Sequence, residues 1–165
     1  MRAIKSLIYI LLIIIFITLQ ATVAHVVAFL GIVPQVALVV VVAIAILDGR
    51  VWGTVFGAVT GLILDVAIGG HIGLNAILFM WIGFFTGLIY KEYFNNKYKV
   101  AMLFCVVADV IYSFIFYFLN IVILGSGDLG VALWHVILPE IIMTTIFCLP
   151  VFWCVDHATK RLRRI

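Results

Sequence analysis

The sequence predicts an all-α protein, a polytopic membrane bundle of six transmembrane helices, and three observations predict it. The first is composition: of 165 residues, 67% are apolar and 10% charged, with a mean hydropathy of +1.38. A soluble domain carries about 45–50% apolar and about 25% charged residues, so this chain cannot cover a water-facing surface. Soluble enzymes, nucleic-acid-binding domains and disordered tails are excluded. The second observation is a series of six apolar runs separated by helix-stopping residues. The third is the placement of the basic residues, which all fall on one side if every run crosses the membrane.

The first span runs from Leu7 to about Phe29 behind the basic start Arg2 and Lys5. Thr22-Val23-Ala24 has the small residues of a signal-peptide cleavage site, but the apolar stretch outruns the usual h-region of about 7 to 15 residues. It is therefore read as a retained helix. The second run, Val33 to Leu47, opens beside Pro34, which suits a first helical turn, and closes at Asp48-Gly49. It falls short of the roughly 20 residues that cross a ~30 Å core. It must therefore sit where the bilayer thins, or be extended by irregular chain buried in protein. The third run, Val51 to Ile68, ends at Gly69-Gly70, and the fourth, Ile72 to Tyr90, ends at the polar stretch Lys91 to Lys99. The fifth, Val100 to Leu124, stops at Gly125-Ser126-Gly127-Asp128, and the sixth covers Val131 to Val155. A membrane β-barrel needs strands of about 10 alternating residues, and that alternation is absent. With short connections and no low-complexity segment or convincing internal repeat, residues 1–165 read as one transmembrane domain.

Charge decides whether the short second run crosses. With six crossings and a cytoplasmic N-terminus, Arg2, Lys5, Arg50, Lys91, Lys97, Lys99, Lys160, Arg161, Arg163 and Arg164 all face the cytoplasm, ten inside and none outside. If the second run turned back, the count would become two inside and eight outside. Six spans with both termini cytoplasmic satisfy the rule.

The most regular pattern is a four-residue beat of Gly49, Gly53, Gly57, Gly61, Asp65, Gly69 and Gly73, echoed by Gly83 and Gly87. Residues four apart share a helix face, and glycine there lets two backbones approach closely. The face packs either against the protein's own helices or against a helix of a partner. Val59 and Ile63 fall on the other side.

Asp65, Asp109 and Glu140 are acids in apolar runs, where an ionisable group is costly and is a functional candidate by default. Asp65 lies about 22 Å along a helix from Arg50, near the outer surface, while Asp109 and Glu140 lie about 14 Å into their runs, near the midplane. No Lys or Arg shares a span with them, so Asp109 and Glu140 are either protonated or hydrogen-bonded to Tyr112, Asn120, Thr144 or main chain. The pair is either a polar clasp between the fifth and sixth helices or a proton- or cation-handling site. His25, His71 and His135 fall toward the outer face without metal-ligand spacing. Cys105, Cys148 and Cys154 lie in spans and read as packing residues. No nucleophile–base order, phosphate loop or zincin motif is visible, so the expectation is a protein that is not an enzyme and takes no cofactor or metal. The tail Lys160-Arg161-Leu162-Arg163-Arg164 suits anionic lipid headgroups, at roughly 1 kcal/mol per basic residue.

The order Gln20, Pro34, Arg50, Gly53-xxx-Gly57-xxx-Gly61-Leu62-xx-Asp65, Gly69-Gly70 and Gly73-Leu74-Asn75-Ala76 resembles the MreD family of rod shape-determining proteins. Length, six spans and a basic C-terminus resemble that family across the chain, while the specific motifs occupy its middle third. Gln35 stands where the family carries Asp or Asn after the proline. The resemblance implies a scaffold in the bacterial cytoplasmic membrane, part of the elongation machinery. Such a scaffold binds the single-span protein MreC, connects indirectly to MreB filaments and to the synthases of lateral peptidoglycan, and has a homodimer as a further assembly. It implies Gly53, Gly57, Gly61, Asp65, Gly69, Gly73 and Asn75 as partner-binding or helix-packing residues. The family is also similar in fold to the S components of energy-coupling-factor vitamin transporters, which gives an alternative reading as a small-molecule binding subunit. Ala24 and Ala28 have the spacing of an S-component contact surface, but only near the end of the first span.

Overall fold

The computed structural model describes residues 9–18, 20, 34–68, 73–93, 97–124 and 138–163. Among them are six helices and no strand: α1 (Tyr9–Thr18), α2 (Val36–Asp48), α3 (Arg50–Ile68), α4 (Leu74–Tyr93), α5 (Lys97–Leu124) and α6 (Leu138–Arg163). The all-helical expectation holds. Three of them, through Arg50–Ala67, Tyr98–Leu119 and Leu138–Lys160, are long and apolar enough to cross a membrane. The apolar helices Tyr9–Thr18, Val36–Asp48 and Leu74–Tyr90 are shorter. Much of the expected first span, with the histidines His25, His71 and His135 and the pair Ala24 and Ala28, lies outside the described residues.

Helix α2 is the centre of the fold. Every residue from Val36 to Leu47 is buried, against α3, α4, α5 and α6, and Tyr9 and Gln20 reach it from the α1 side. An apolar run of 12 residues, Val36 to Leu47, without a polar face belongs inside a bundle, where each direction offers an apolar neighbour. This gives the short run a different setting from a thinned bilayer. At about 20 Å it falls short of a hydrocarbon core, but its side chains meet protein instead of lipid. Pro34 lies before the helix and not in its first turn, and Gln35 takes the capping position without a side-chain cap bond of its own.

One residue joins α2 to α3. Gly49 has φ +88°, a left-handed conformation that L side chains rarely adopt, and its N–H bonds the Ala45 carbonyl. Helices α3 and α4 then form the most extensive pair in the molecule, antiparallel and joined through residues 69–73.

The surface reverses the rule of soluble proteins. On α3, Val51, Val55, Val59, Leu62 and Val66 form an exposed stripe, while Gly53, Gly57, Thr60, Gly61 and Asp65 face inward. On α4, Ile77, Trp81, Phe85 and Ile89 are exposed and Asn75, Gly83, Thr86 and Gly87 are buried. Large apolar residues outside and small or polar ones inside suit a lipid environment, which gives apolar side chains no reason to hide and helices every reason to approach closely.

The end of the bundle that carries Arg50 is tied by side chains. The Tyr9 hydroxyl bonds the Asp48 carboxylate and lies 3.2 Å from Thr159 Oγ1, which joins α1, α2 and α6. Tyr98 donates to Asp156 at 3.2 Å across α5 and α6, and Lys160 pairs with the same carboxylate at 2.5 Å.

Candidate functional site

The glycine beat resolves into three different uses. A Cβ on Gly53 would lie 2.6 Å from Ala45 Cβ and 2.7 Å from the Gly83 carbonyl oxygen. A Cβ on Gly57 would meet the Phe79 carbonyl, and one on Gly61 would lie 2.5 Å from Ala76 Cα. From the other side, a Cβ on Gly87 would lie 2.5 Å from Arg50 Cα. These glycines form a seam on which the backbones of α3 and α4 touch, so the face is occupied by the protein's own helix. Gly49 and Gly73 share the spacing but not the use, since both have positive φ and nothing lies within 4 Å of where their Cβ would be. Gly69 lies outside the described residues. Val59 is exposed opposite the seam, whereas Ile63, expected there too, is half-buried against the core.

Asp65 breaks the beat because it performs a third task. Its Oδ2 accepts the main-chain N–H of Gly73 at 2.9 Å and of Ala76 at 3.2 Å, and its Oδ1 accepts that of Asn75 at 3.2 Å. The first N–H groups of a helix have no partner within it, and a nearby carboxylate satisfies them and complements the helix dipole. Asp65 therefore caps α4 from the last turns of α3. Asn75, in that first turn, passes the connection on: its Oδ1 accepts the Tyr112 hydroxyl at 2.7 Å, and Tyr112 packs edge-on against Phe79 with ring centroids 5.4 Å apart.

The start of α2 is capped in the same way by a foreign side chain. Gln20, beyond α1, accepts the Ala37 N–H at 2.8 Å, and the Gln35 N–H donates to Thr144 Oγ1 on α6 at 3.2 Å. Gln20 Nε2 also donates to Gln35 Oε1 at 3.5 Å, and Gln35 Nε2 donates to Glu140 Oε1 at 3.0 Å. The second oxygen of Glu140 accepts the Ser113 hydroxyl at 3.3 Å, which ties α5 to α6. Glu140 sits in the first turn of α6. The helix described here starts at Leu138, beside Pro139, a residue that favours helix starts and disfavours helix before it.

Asp109 is the exception. It is fully buried, and neither carboxylate oxygen has a hydrogen-bond partner among the described residues. Of the three acids, Asp65 and Glu140 thus have donors on both oxygens and Asp109 has none among the described residues. Cys105 and Cys148 are buried, Cys154 is exposed, and all three are free thiols. No group of three or more His, Cys, Asp or Glu among the described residues is arranged to hold a metal ion. In the basic tail, Lys160 is exposed beside Asp156, Arg161 and Arg163 fall on the last turn of α6, and Arg164 lies outside the described residues.

Sequence reasoning missed the roles of Gln20, Gln35 and Ser113 in this network. The signal was present as isolated amides and a hydroxyl in apolar runs, where each must find a partner within the protein.

A family model described as rod shape-determining protein MreD matches residues 1–156. No curated protein and no solved structure matches the chain.

Proposed function

The chain belongs to the MreD family of rod shape-determining proteins, and from this premise we propose that it is a non-enzymatic scaffold of the bacterial elongation machinery. In this reading it is a single six-span domain of the cytoplasmic membrane with both termini inside. It binds MreC and connects MreB filaments indirectly to the synthases of lateral peptidoglycan. The observation that carries the reading is the family match over nearly the whole chain. The geometry agrees in kind, since the buried polar groups described above serve to hold helices together.

Gly53, Gly57 and Gly61 are covered by α4, so MreC or a second copy of the chain would meet an outer surface such as the Val51, Val55, Val59, Leu62 and Val66 stripe. The charge count sets the Arg50 end on the cytoplasmic side, with the Gln35 and Glu140 cluster toward the outside. Lys160, Arg161, Arg163 and Arg164 then meet anionic lipid at the inner surface.

The alternative, an S-component-like vitamin binder, draws on the polar cluster near the outer end. Apart from Asp109, the acids and amides described above bond to one another, to hydroxyls and to main chain, so that reading has less support. Copurification from native membranes separates the two. Recovery of MreC with the tagged protein is expected, and recovery of a transporter module in its place would overturn the scaffold reading.

A further inference from the structure

Two thiols meet inside the contact between α5 and α6. Cys105 on α5 and Cys148 on α6 are both buried and free, and the Cys105 S–H donates to the Cys148 sulfur. Cys148 in turn donates to the Ala101 carbonyl at 3.8 Å, so its side chain lies against the main chain of α5. Ala101, Cys105 and Ala108 share that face of α5, one helical turn apart, and all are buried. Small residues in such positions let two helices approach closely. A disulfide needs that approach, since its two Cα atoms must lie within about 7 Å of each other.

The pair is remote from the helix ends that carry the charges. Cys105 lies about 12 Å along α5 from Lys97, and Cys148 about 18 Å along α6 from Lys160. Oxidants dissolved in water act through thiolate exchange, and in apolar surroundings a thiolate is costly. The oxidant suited to this dithiol dissolves in lipid and accepts electrons and protons together. Quinones do both, taking up two electrons and two protons and leaving as quinols. Pro150 provides local freedom for the reaction. Inside α6 and two residues beyond Cys148, it removes the helix hydrogen bond to the Ile146 carbonyl and so loosens the turn that carries the thiol.

We infer that Cys105 and Cys148 are a redox-sensitive staple: a lipid-soluble quinone oxidises them to a disulfide that ties α5 to α6. One S–S bond forms and two S–H bonds break, and the two electrons and two protons reduce the quinone to the quinol. The oxidised form closes the chain between Cys105 and Cys148 into a loop, which restricts the unfolded chain and stabilises the folded one. Cys154, exposed on another face of α6, takes no part.

The test treats the purified full chain in lipid nanodiscs with a short-tailed ubiquinone analogue, then unfolds, alkylates and digests it for mass spectrometry. A linked pair of peptides carrying Cys105 and Cys148 is expected, with Cys154 alkylated, and dithiothreitol added to the digest should release the link. The treated wild type should unfold several degrees above the untreated protein, and Cys105→Ser should show no such rise. Recovery of all three cysteines alkylated after quinone treatment overturns the inference, a readout that needs no variant to fold. So does a quinone adduct on either thiol in place of the link, a link that leaves the unfolding temperature unchanged, or an equal rise in Cys105→Ser. Equal formation of the link by glutathione disulfide would place the oxidant in water and also overturn it.

Discussion

Asp65 Oδ1 accepts the main-chain N–H of Asn75 at 3.2 Å, so the end of one helix caps the beginning of the next across the hairpin that joins them. Two further N–H groups, those of Gly73 and Ala76, share the same carboxylate. Removing it leaves buried donors without partners, at about 1–3 kcal/mol. Asp65→Ala should therefore insert normally but unfold at lower temperature in detergent. Asp65→Asn, which keeps one acceptor oxygen, should fall between the two. Wild-type stability of the alanine variant would refute the cap.

Substitution along the seam should separate inward from outward positions. Leu at Gly57 or Gly61 drives a side chain into the main chain of Phe79 or Ala76, which cannot rotate away, and overpacking costs about 1–3 kcal/mol or more. Val59→Leu, on the exposed stripe of the same helix, should be nearly silent. Thermal unfolding of the isolated protein in one detergent checks this. Loss of MreC binding with unchanged stability in the Gly57 variant would assign the face to a partner after all.

Gln20→Ala should cost about as much as removing a helix cap, about 0.5–2 kcal/mol, because the buried Ala37 N–H loses its acceptor. Gln35→Glu should be worse. It exchanges the amide that donates to Glu140 for a second acid facing it, and its midpoint of unfolding should rise again at acidic pH, where the pair takes up a proton. A pH-independent effect would show that the Gln35 contact with Glu140 is incidental.

Topology is tested by single cysteines on a background in which Cys105, Cys148 and Cys154 are replaced. Probes at Gly70 and Ser126 should react with a membrane-impermeant reagent from outside, and a probe at Asn95 only after permeabilisation. External labelling at Asn95 would invert the orientation.

Much of this architecture could be read from the chain. The helix stops at Asp48-Gly49 and Lys91 to Lys99 placed the ends of α2 and α4 to within a few residues, because breakers and charges act locally. The glycine spacing marked the seam, yet it treated Gly49, Gly57, Asp65 and Gly73 alike, since a period along the sequence carries no φ angle and no partner. What stayed illegible was pairing between distant residues. Nothing local says that Gln20 caps Ala37, or that Gln35 reaches Glu140 across a separation of 105 residues.

The burial of α2 on all sides bears on how the protein is made. A helix of 13 residues enclosed mainly by later helices has only the α1 side for company when it leaves the ribosome, and it is too short to be held by lipid alone. Its wall arrives only with α3, α4, α5 and α6. Biogenesis must therefore keep α2 in a sheltered place, the insertion machinery or its attendant chaperones, until the rest of the chain has been synthesised. A ribosome stalled just after Gly49 would hold α2 loosely enough for alkaline extraction to remove it, and one stalled beyond α6 would not.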